Sequence, residues 1–117
     1  MDIELLREKC LSLPYVEEKF PFDEYTLVFY VGSKLFALTD LQTPNSVNLK
    51  CDPEQAIELR ERYMGIVPGY HMNKKHWNTV AFNADVSDKL ILELLHNSYQ
   101  LVWNKLPRKE REALTTR

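Results

Sequence analysis

The amino-acid sequence predicts a two-layer α+β domain in which helices pack on one side of a mainly antiparallel five-stranded sheet. Two observations support this class. Runs rich in β-branched and aromatic residues are separated by turn signals of hairpin length, which favours antiparallel pairing. Apolar residues at helical spacing occur before the first run, between the third and fourth runs and after the fifth, so the expected element order is α-β3-α-β2-α.

The composition is typical of one globular domain spanning residues 1–117. Hydrophobic residues make up 44% of the chain and charged residues 27%, and the formal net charge is −2. No run approaches the ~20 apolar residues that a membrane helix needs, and the acidic start lacks the basic and apolar regions of a signal peptide. We therefore expect a cytoplasmic protein without a membrane segment, and a monomer rather than an obligate oligomer.

The first helix begins at Asp2, a favourable N-cap residue, and ends at Pro14, which cannot continue a helix. The residues that recur at helical spacing on its apolar face are Ile3, Leu6, Cys10 and Leu13. A connector follows, in which Phe20 and Phe22 are expected to pin the chain onto the sheet.

Three strands follow, over residues 25–31, 34–40 and 47–51. Gly32 and Ser33 join the first two as a type II′ turn, which favours glycine at its first position. The third strand alternates apolar and polar residues, so Asn48 and Lys50 are expected to share one face of the sheet.

The second helix has a strong start signal, because Asp52 can cap it, Pro53 suits its first turn and Gln55 completes a capping box. It is expected to end near Met64, with Gly65 as the left-handed residue that follows the helix.

The last two strands are expected over residues 66–72 and 78–82, with residues 73–77 connecting them. A long helix then begins at Ser87 or Asp88 and continues to Leu106. Its apolar stripe consists of Leu90, Ile91, Leu94, Leu95, Leu101 and Val102. A short basic helix over residues 108–114 completes the chain, with Pro107 at its start.

The sequence contains no signature of catalysis, of a cofactor or of a metal site. Cys10 and Cys51 form no CxxC pair, and we expect two buried free thiols, with a distant disulfide as the alternative. His71 and His76 are five residues apart with no third ligand near them in sequence, so we expect no metal. Nucleophile motifs and phosphate-binding glycine loops are also missing, so we expect no enzyme activity.

The segment from Val67 to Val80 is the most distinctive part of the sequence. Two histidines, two lysines, two asparagines, a tyrosine and a tryptophan fall between Tyr70 and Thr79. Lys74 and Lys75 follow Asn73 at a hairpin tip, where they are either solvated turn residues or contacts to phosphate groups. Trp77 is either a ring that packs beneath the hairpin or a platform for stacking bases.

The two ends of the chain have opposite charge. Acidic residues predominate over residues 1–24 and basic residues over residues 105–117. Lys105, Arg108, Lys109 and Arg111 can form a solvated helix face, or they can extend a basic surface if the last helix folds near the 73–77 connection.

The sequence resembles the MmcQ/YjbR proteins over nearly its whole length. The residues that carry the resemblance are Pro68 to Thr79, Phe20-Pro21-Phe22, Lys34 to Ala37, Asn48 to Pro53, Ser98 to Val102 and Lys105-Leu106-Pro107. The resemblance implies a small bacterial cytoplasmic protein, a fold similar to that of secretion chaperones, and DNA binding through a double wing of β-hairpins. It implies no cofactor and no reaction.

Carried over by position, the family motif assigns DNA binding to nine residues of this chain. They are Lys50, Tyr70, His71, Asn73, Lys74, Lys75, His76, Trp77 and Asn78. We therefore expect DNA as the partner. A chaperone-like protein-interaction module that uses the same exposed aromatic cluster is the alternative, and a role in small-molecule binding or catalysis is third.

Overall fold

The computed structural model describes residues 1–116. Its helices are α1 (Ile3–Leu11), α2 (Pro53–Arg62), α3 (Asp88–Lys105) and α4 (Arg108–Thr115). Its strands are β1 (Val16–Lys19), β2 (Thr26–Val31), β3 (Lys34–Asp40), β4 (Ser46–Lys50), β5 (Ile66–Pro68) and β6 (Trp77–Ala81).

The strands form one antiparallel sheet in the order β1-β2-β3-β4-β6-β5, and the helices lie on one side of it. The predicted α+β class is confirmed. The predicted count of five strands is wrong, because the connector after α1 contains β1. This strand is short and carries two glutamates, so it has little of the pattern that predicts a strand. It forms because it pairs with β2 and because Glu18 bonds to Arg7 of α1.

The main core lies between the sheet and the helices. Its fully buried side chains include Leu6 of α1, Phe29 of β2, Phe36 of β3 and both Ile91 and Leu95 of α3. The predicted stripe of α3 is largely confirmed, since Leu94 and Val102 are also buried, whereas Leu90 and Leu101 are half-buried. Helix α3 packs mainly across β3 and β4, the two central strands.

The start of α2 is capped as predicted, but its end is not. Asp52 accepts hydrogen bonds from the backbone of Glu54 and Gln55. The helix ends at Arg62, and Gly65 does not adopt the predicted left-handed conformation. The carboxylate of Asp85 instead accepts the N–H groups of Met64 and Gly65, each at 2.7 Å, so a long-range contact makes this turn.

The connection between β2 and β3 agrees with the prediction of a type II′ turn. Gly32 has φ +59° and Ser33 does not have a positive φ. The carboxylate of Glu110 in α4 accepts hydrogen bonds from the Ser33 N–H and hydroxyl groups, and therefore joins α4 to this turn.

The prediction that Phe20 and Phe22 pin a loop onto the sheet is wrong. Their side chains are 49% and 65% exposed. They lie in the connection between β1 and β2, at the end of the sheet that also exposes Tyr25 and Leu41. This leaves an apolar patch at the opposite end of the sheet from the β2–β3 turn.

Both cysteines are free and buried, as expected. Burial raises the pKa of Cys10 to about 12. Burial and the charge of Asp52 raise the pKa of Cys51 to about 11, so at neutral pH both side chains are thiols. Within residues 1–116, no helix has the length and apolar character needed to cross a bilayer.

Candidate functional site

The segment Gly69–His76, here called the motif loop, connects β5 to β6 and folds back over the sheet face opposite the helices, here called the open face. Strand β5 ends at Pro68 rather than at the predicted Met72. Met72 instead packs against a small apolar cluster on the open face, formed mainly by Val28, Leu38 and Trp77. The motif loop is therefore tied to the sheet and does not project as the expected wing.

A ring of hydrogen bonds fastens the start of the motif loop to β4 and β6. The Tyr70 N–H donates to Thr79 Oγ1 at 3.0 Å, and Thr79 Oγ1 donates to Asn48 Oδ1 at 2.5 Å. The amide of Asn48 then donates to the Tyr70 carbonyl at 3.2 Å. Since Asn48 and Thr79 are direct neighbours in the β4–β6 register, strand pairing prepares this docking site for the loop.

The base of the motif loop requires a glycine and is closed by a lysine. A Cβ atom at Gly69 would lie 2.7 Å from Trp77 Cβ and 2.9 Å from the Trp77 carbonyl oxygen, so a larger residue does not fit. Lys74 Nζ donates to the Gly69 carbonyl at 3.0 Å. One of the two lysines expected at a hairpin tip is therefore partly engaged in closing the loop.

Arg60 of α2 supports the same loop from the side of the helices. Its Nη2 donates to the Lys74 carbonyl at 2.7 Å, and its Nε donates to Asn78 Oδ1 at 2.9 Å. The amide of Asn78 donates to the Ala56 carbonyl at 3.4 Å. Sequence reasoning missed Arg60, because nothing in the local pattern of α2 distinguishes it from other solvated charges on that helix.

Two of the nine expected contact residues are buried. Trp77 is 8% exposed and packs in the cluster on the open face, and Asn78 is 2% exposed beneath α2. Their side chains are placed to support the motif loop rather than to contact a ligand. Of the two interpretations that the sequence left open for Trp77, the structure favours the packing ring.

The other motif residues present side chains at the surface. Tyr70 is 68% exposed, and its ring lies 4.0 Å from that of His71, centroid to centroid. Asn73 Oδ1 accepts the Lys75 N–H at 2.9 Å and shapes the turn, while the side chain of Lys75 is exposed. His76 is half-buried, and its carbonyl accepts the Cys51 N–H at 2.8 Å. The end of the motif loop is therefore next to the end of β4.

Three lysines converge at that end of the sheet. Lys34 is the first residue of β3, Lys50 the last of β4 and Lys105 the last of α3, and together they are here called the lysine cluster. Burial, together with the charges of Lys105 and Lys34, lowers the pKa of the half-buried Lys50. Within residues 1–116, none of the three forms an ion pair with a carboxylate.

The buried hydroxyl of Ser98 explains how these lysines are brought together. Strands β3 and β4 pair at only two positions, Ala37 with Leu49 and Leu38 with Asn48. Beyond these pairs, Ser98 of α3 bridges the two strands. Ser98 Oγ accepts the Lys50 N–H at 2.8 Å and donates to the Phe36 carbonyl at 2.6 Å. Lys105 follows Ser98 by two helical turns, ~10 Å along α3.

Sequence reasoning named Lys50 as a contact residue, whereas Ser98 and Lys34 appeared only among the residues that carry the family resemblance, without a role in the site. The available signal for Ser98 was its position four residues after Leu94, on the apolar stripe of α3, where a polar residue needs a buried partner. The C-terminal bases do not all join the cluster. Arg108 pairs with Glu112 on its own helix, and Arg108 and Arg111 line a shallow groove beside Trp103.

The part of the chain that the structure describes contains no group of three or more His, Cys, Asp or Glu side chains that could hold a metal ion. His71 is exposed and His76 is half-buried, and both belong to the motif loop described above. What the site offers chemically is a set of unpaired ammonium groups next to an exposed aromatic pair.

The fold and the site define an α+β domain whose open sheet face is covered by one hydrogen-bonded, motif-bearing loop. A family model described as YjbR matches residues 11–101, and the chain belongs to this family. The family predicted from the sequence motif is therefore confirmed.

Relatives and solved structures agree with this assignment. The chain is 36% identical to "Uncharacterized protein YbdF" of Escherichia coli O157:H7, over 95% of this chain and 92% of the relative. It is 33% identical to "Uncharacterized protein YjbR" of Escherichia coli strain K12, over 97% of this chain and 98% of the relative. The crystal structure of Deinococcus radiodurans protein DR2400, with the family-model domain DUF419, superposes with a TM-score of 0.90 at 45% identity, covering 97% of this chain and 87% of that chain.

Proposed function

We propose that this protein binds DNA through its phosphate backbone, at the end of the sheet where the lysine cluster lies beside the motif loop. The observation that carries the proposal is the convergence of Lys34, Lys50 and Lys105 without a carboxylate partner among residues 1–116, in a chain whose net charge is −2. The ammonium groups of these three lysines repel one another, and a bound phosphate group would offset that repulsion.

The motif loop adds a second source of positive charge to this end of the sheet. Lys75 is exposed, and Lys74 retains free donors beyond its bond to the Gly69 carbonyl. Since a few lysines supply only an electrostatic term, binding should be modest and insensitive to base sequence, with a Kd of about 10⁻⁴–10⁻⁶ M at physiological salt. No catalytic step and no cofactor form part of the proposal.

The test is a fluorescence-anisotropy titration of labelled duplex DNA at several salt concentrations. The double variant Lys50→Gln/Lys105→Gln should weaken binding to every sequence and reduce the salt slope by about two counterions. Lys89→Gln is the matched control. It removes a lysine from the other end of α3, ~24 Å from Lys105, and should leave binding unchanged.

Absence of binding below ~50 mM salt, where the phosphate term is strongest, would reject the DNA proposal. A loss of binding free energy in the Lys89→Gln control half as large as that in the double variant would also reject it, because it would show that only the number of charges matters.

A protein-interaction role is the second candidate, and the exposed patch formed by Phe20, Phe22, Tyr25 and Leu41 favours it. Exposed aromatic clusters are frequent at protein interfaces, and such binding depends weakly on salt. A peptide ligand selected on the protein should therefore keep its affinity in high salt and lose it in Phe20→Ser/Phe22→Ser. The lysine-cluster variant serves as the control and should still bind that peptide.

A further inference from the structure

The Tyr70–His71 ring pair is a feature of the motif loop that neither the packing against the sheet nor the hydrogen bonding of residues 1–116 uses. Both backbone polar groups of Tyr70 bond to β4 and β6 side chains, yet its ring is 68% exposed and its phenol group has no hydrogen-bond partner in that part of the chain. Met72 and Trp77, from the same segment, pack in the cluster on the open face. The motif loop thus packs the Met72 side chain against the sheet and exposes the Tyr70 ring to solvent.

The backbone of His71, which carries one ring of the pair, has an energetically unfavourable conformation. His71 has φ +59°, a left-handed conformation that non-glycine residues seldom adopt. The hydrogen-bond ring at Tyr70 and the packing of Met72 hold the residues on either side of His71. A surface that is already ordered loses little conformational entropy when it binds a partner.

Strand β4 connects the docking site of the ring pair with the lysine cluster. Asn48 bonds to the Tyr70 carbonyl, and Lys50 is two residues further along β4, about 6.6 Å from Asn48 along the strand. An exposed aromatic ring pair and unpaired cations, both positioned by β4, match the two components of a nucleotide, a flat base and a charged phosphate group.

Building on the proposed function, we propose that the protein binds single-stranded DNA in preference to duplex DNA, with an unpaired base stacking on the exposed Tyr70 ring of the pair while the lysine cluster contacts the neighbouring phosphates. In a duplex, each base face is covered by the next base pair, and only base edges are accessible in the grooves. A single strand exposes its base faces, so the ring pair contributes binding energy to the single strand alone.

The test compares an oligothymidylate of about 20 nucleotides, longer than the ~4–16 nucleotides that single-strand sites of small domains cover, with a mixed-sequence duplex of equal length. Tyr70→Ala should weaken binding of the single strand about tenfold, in line with measured losses of base–aromatic stacking, and leave the duplex affinity unchanged. Tyr70→Phe keeps the ring and should bind as the unaltered protein does. Lys50→Gln should weaken both forms, because both present phosphates.

Thermal unfolding of Tyr70→Ala is measured in parallel, and an unchanged midpoint is expected because the ring is exposed. Duplex binding that equals or exceeds single-strand binding, with no effect of Tyr70→Ala on either, would overturn the stacking inference and leave phosphate binding intact. Failure of both DNA forms to bind at low salt would overturn the inference and the proposed function together.

Discussion

At the scale of single residues, the candidate site depends on polar side chains that are buried and hydrogen-bonded. Ser98 on α3 replaces the missing strand–strand bonds between β3 and β4, and Asn78 connects α2, Arg60 and β6. Neither side chain can reach a ligand. Both determine where charged residues of neighbouring elements are held. Ser98 and Asn78 therefore have a role in the site that their exposure alone would not reveal.

Ser98→Ala should destabilise the protein by about 1–3 kcal/mol. The variant removes a fully buried hydroxyl group and leaves the Lys50 N–H and the Phe36 carbonyl without a partner, and unsatisfied buried groups carry a cost of that order. Urea unfolding measures the difference. Asn97→Ala, at the exposed neighbouring position on α3, is the control and should change stability by less than about 0.5 kcal/mol. Similar small effects of the two variants would show that the bridge contributes little.

At the scale of elements, the motif loop is an ordered structure because β4 and β6 hold it at one end and α2 supports it at the other. The loop in turn covers Val28, Leu38 and Trp77 on a sheet face that has no helix. The motif loop therefore stabilises the open face and also forms the candidate contact surface. A change that loosens the loop should weaken both.

Thr79→Val should loosen the motif loop more than it destabilises the whole protein. Valine has nearly the shape of threonine but removes the hydroxyl that accepts from Tyr70 and donates to Asn48, a loss of about 1–2 kcal/mol for two hydrogen bonds. Hydrogen exchange measures the result, and the Tyr70 amide should lose protection while the amides of α3 keep theirs.

Thr43→Val is the control for this prediction, because it removes an exposed hydroxyl in the turn before β4. The exchange rate at Tyr70 should not change in this variant. Unaltered protection of Tyr70 in Thr79→Val would mean that Met72 and Lys74 suffice to hold the loop.

At the scale of the whole molecule, charge is distributed unevenly. The net charge is −2, yet Lys34, Lys50 and Lys105 meet at one end of the sheet. In the folded state the lowered pKa of Lys50 means that protonation of this amine is disfavoured. The resulting cost to stability is fully present at pH values below the folded pKa, and it disappears as pH rises through that value toward 10.5. Such a cost is expected where charges are arranged for binding rather than for stability.

Lys50→Met should therefore raise the unfolding temperature at neutral pH and low salt while it weakens DNA binding. Methionine keeps most of the aliphatic stem and removes the charge. The part of the stabilisation that comes from burial should remain in added salt, whereas the part that comes from repulsion by Lys105 and Lys34 should be screened. The whole stabilisation should shrink as pH approaches 10.5. Differential scanning calorimetry across salt and pH gives the measurement. Lys89→Met at the far end of α3 is the control, and a larger stabilisation there than at Lys50 would contradict the prediction.

The sequence by itself determined the α+β class, the caps of α1 and α2, the Gly32-Ser33 turn, most of the α3 stripe and the family. Each of these depends on local chemistry. Asp2 and Asp52 bond to the backbone two or three residues away, Gly32 supplies a conformation that other residues avoid, and the apolar spacing of α3 follows from helical geometry.

Only the tertiary structure decided the existence of β1, the folding of the motif loop onto the open face, the end of α2 and the composition of the lysine cluster. Each of these depends on contacts between residues far apart in the chain, such as Arg7 with Glu18, Met64 with Asp85, and Ser98 with both Phe36 and Lys50. Local patterns carry no information about which distant side chain will satisfy a buried polar group. For the same physical reason, the motif located the loop but could not show that Trp77 supports it from within, or that Lys34 and Lys105 would meet Lys50.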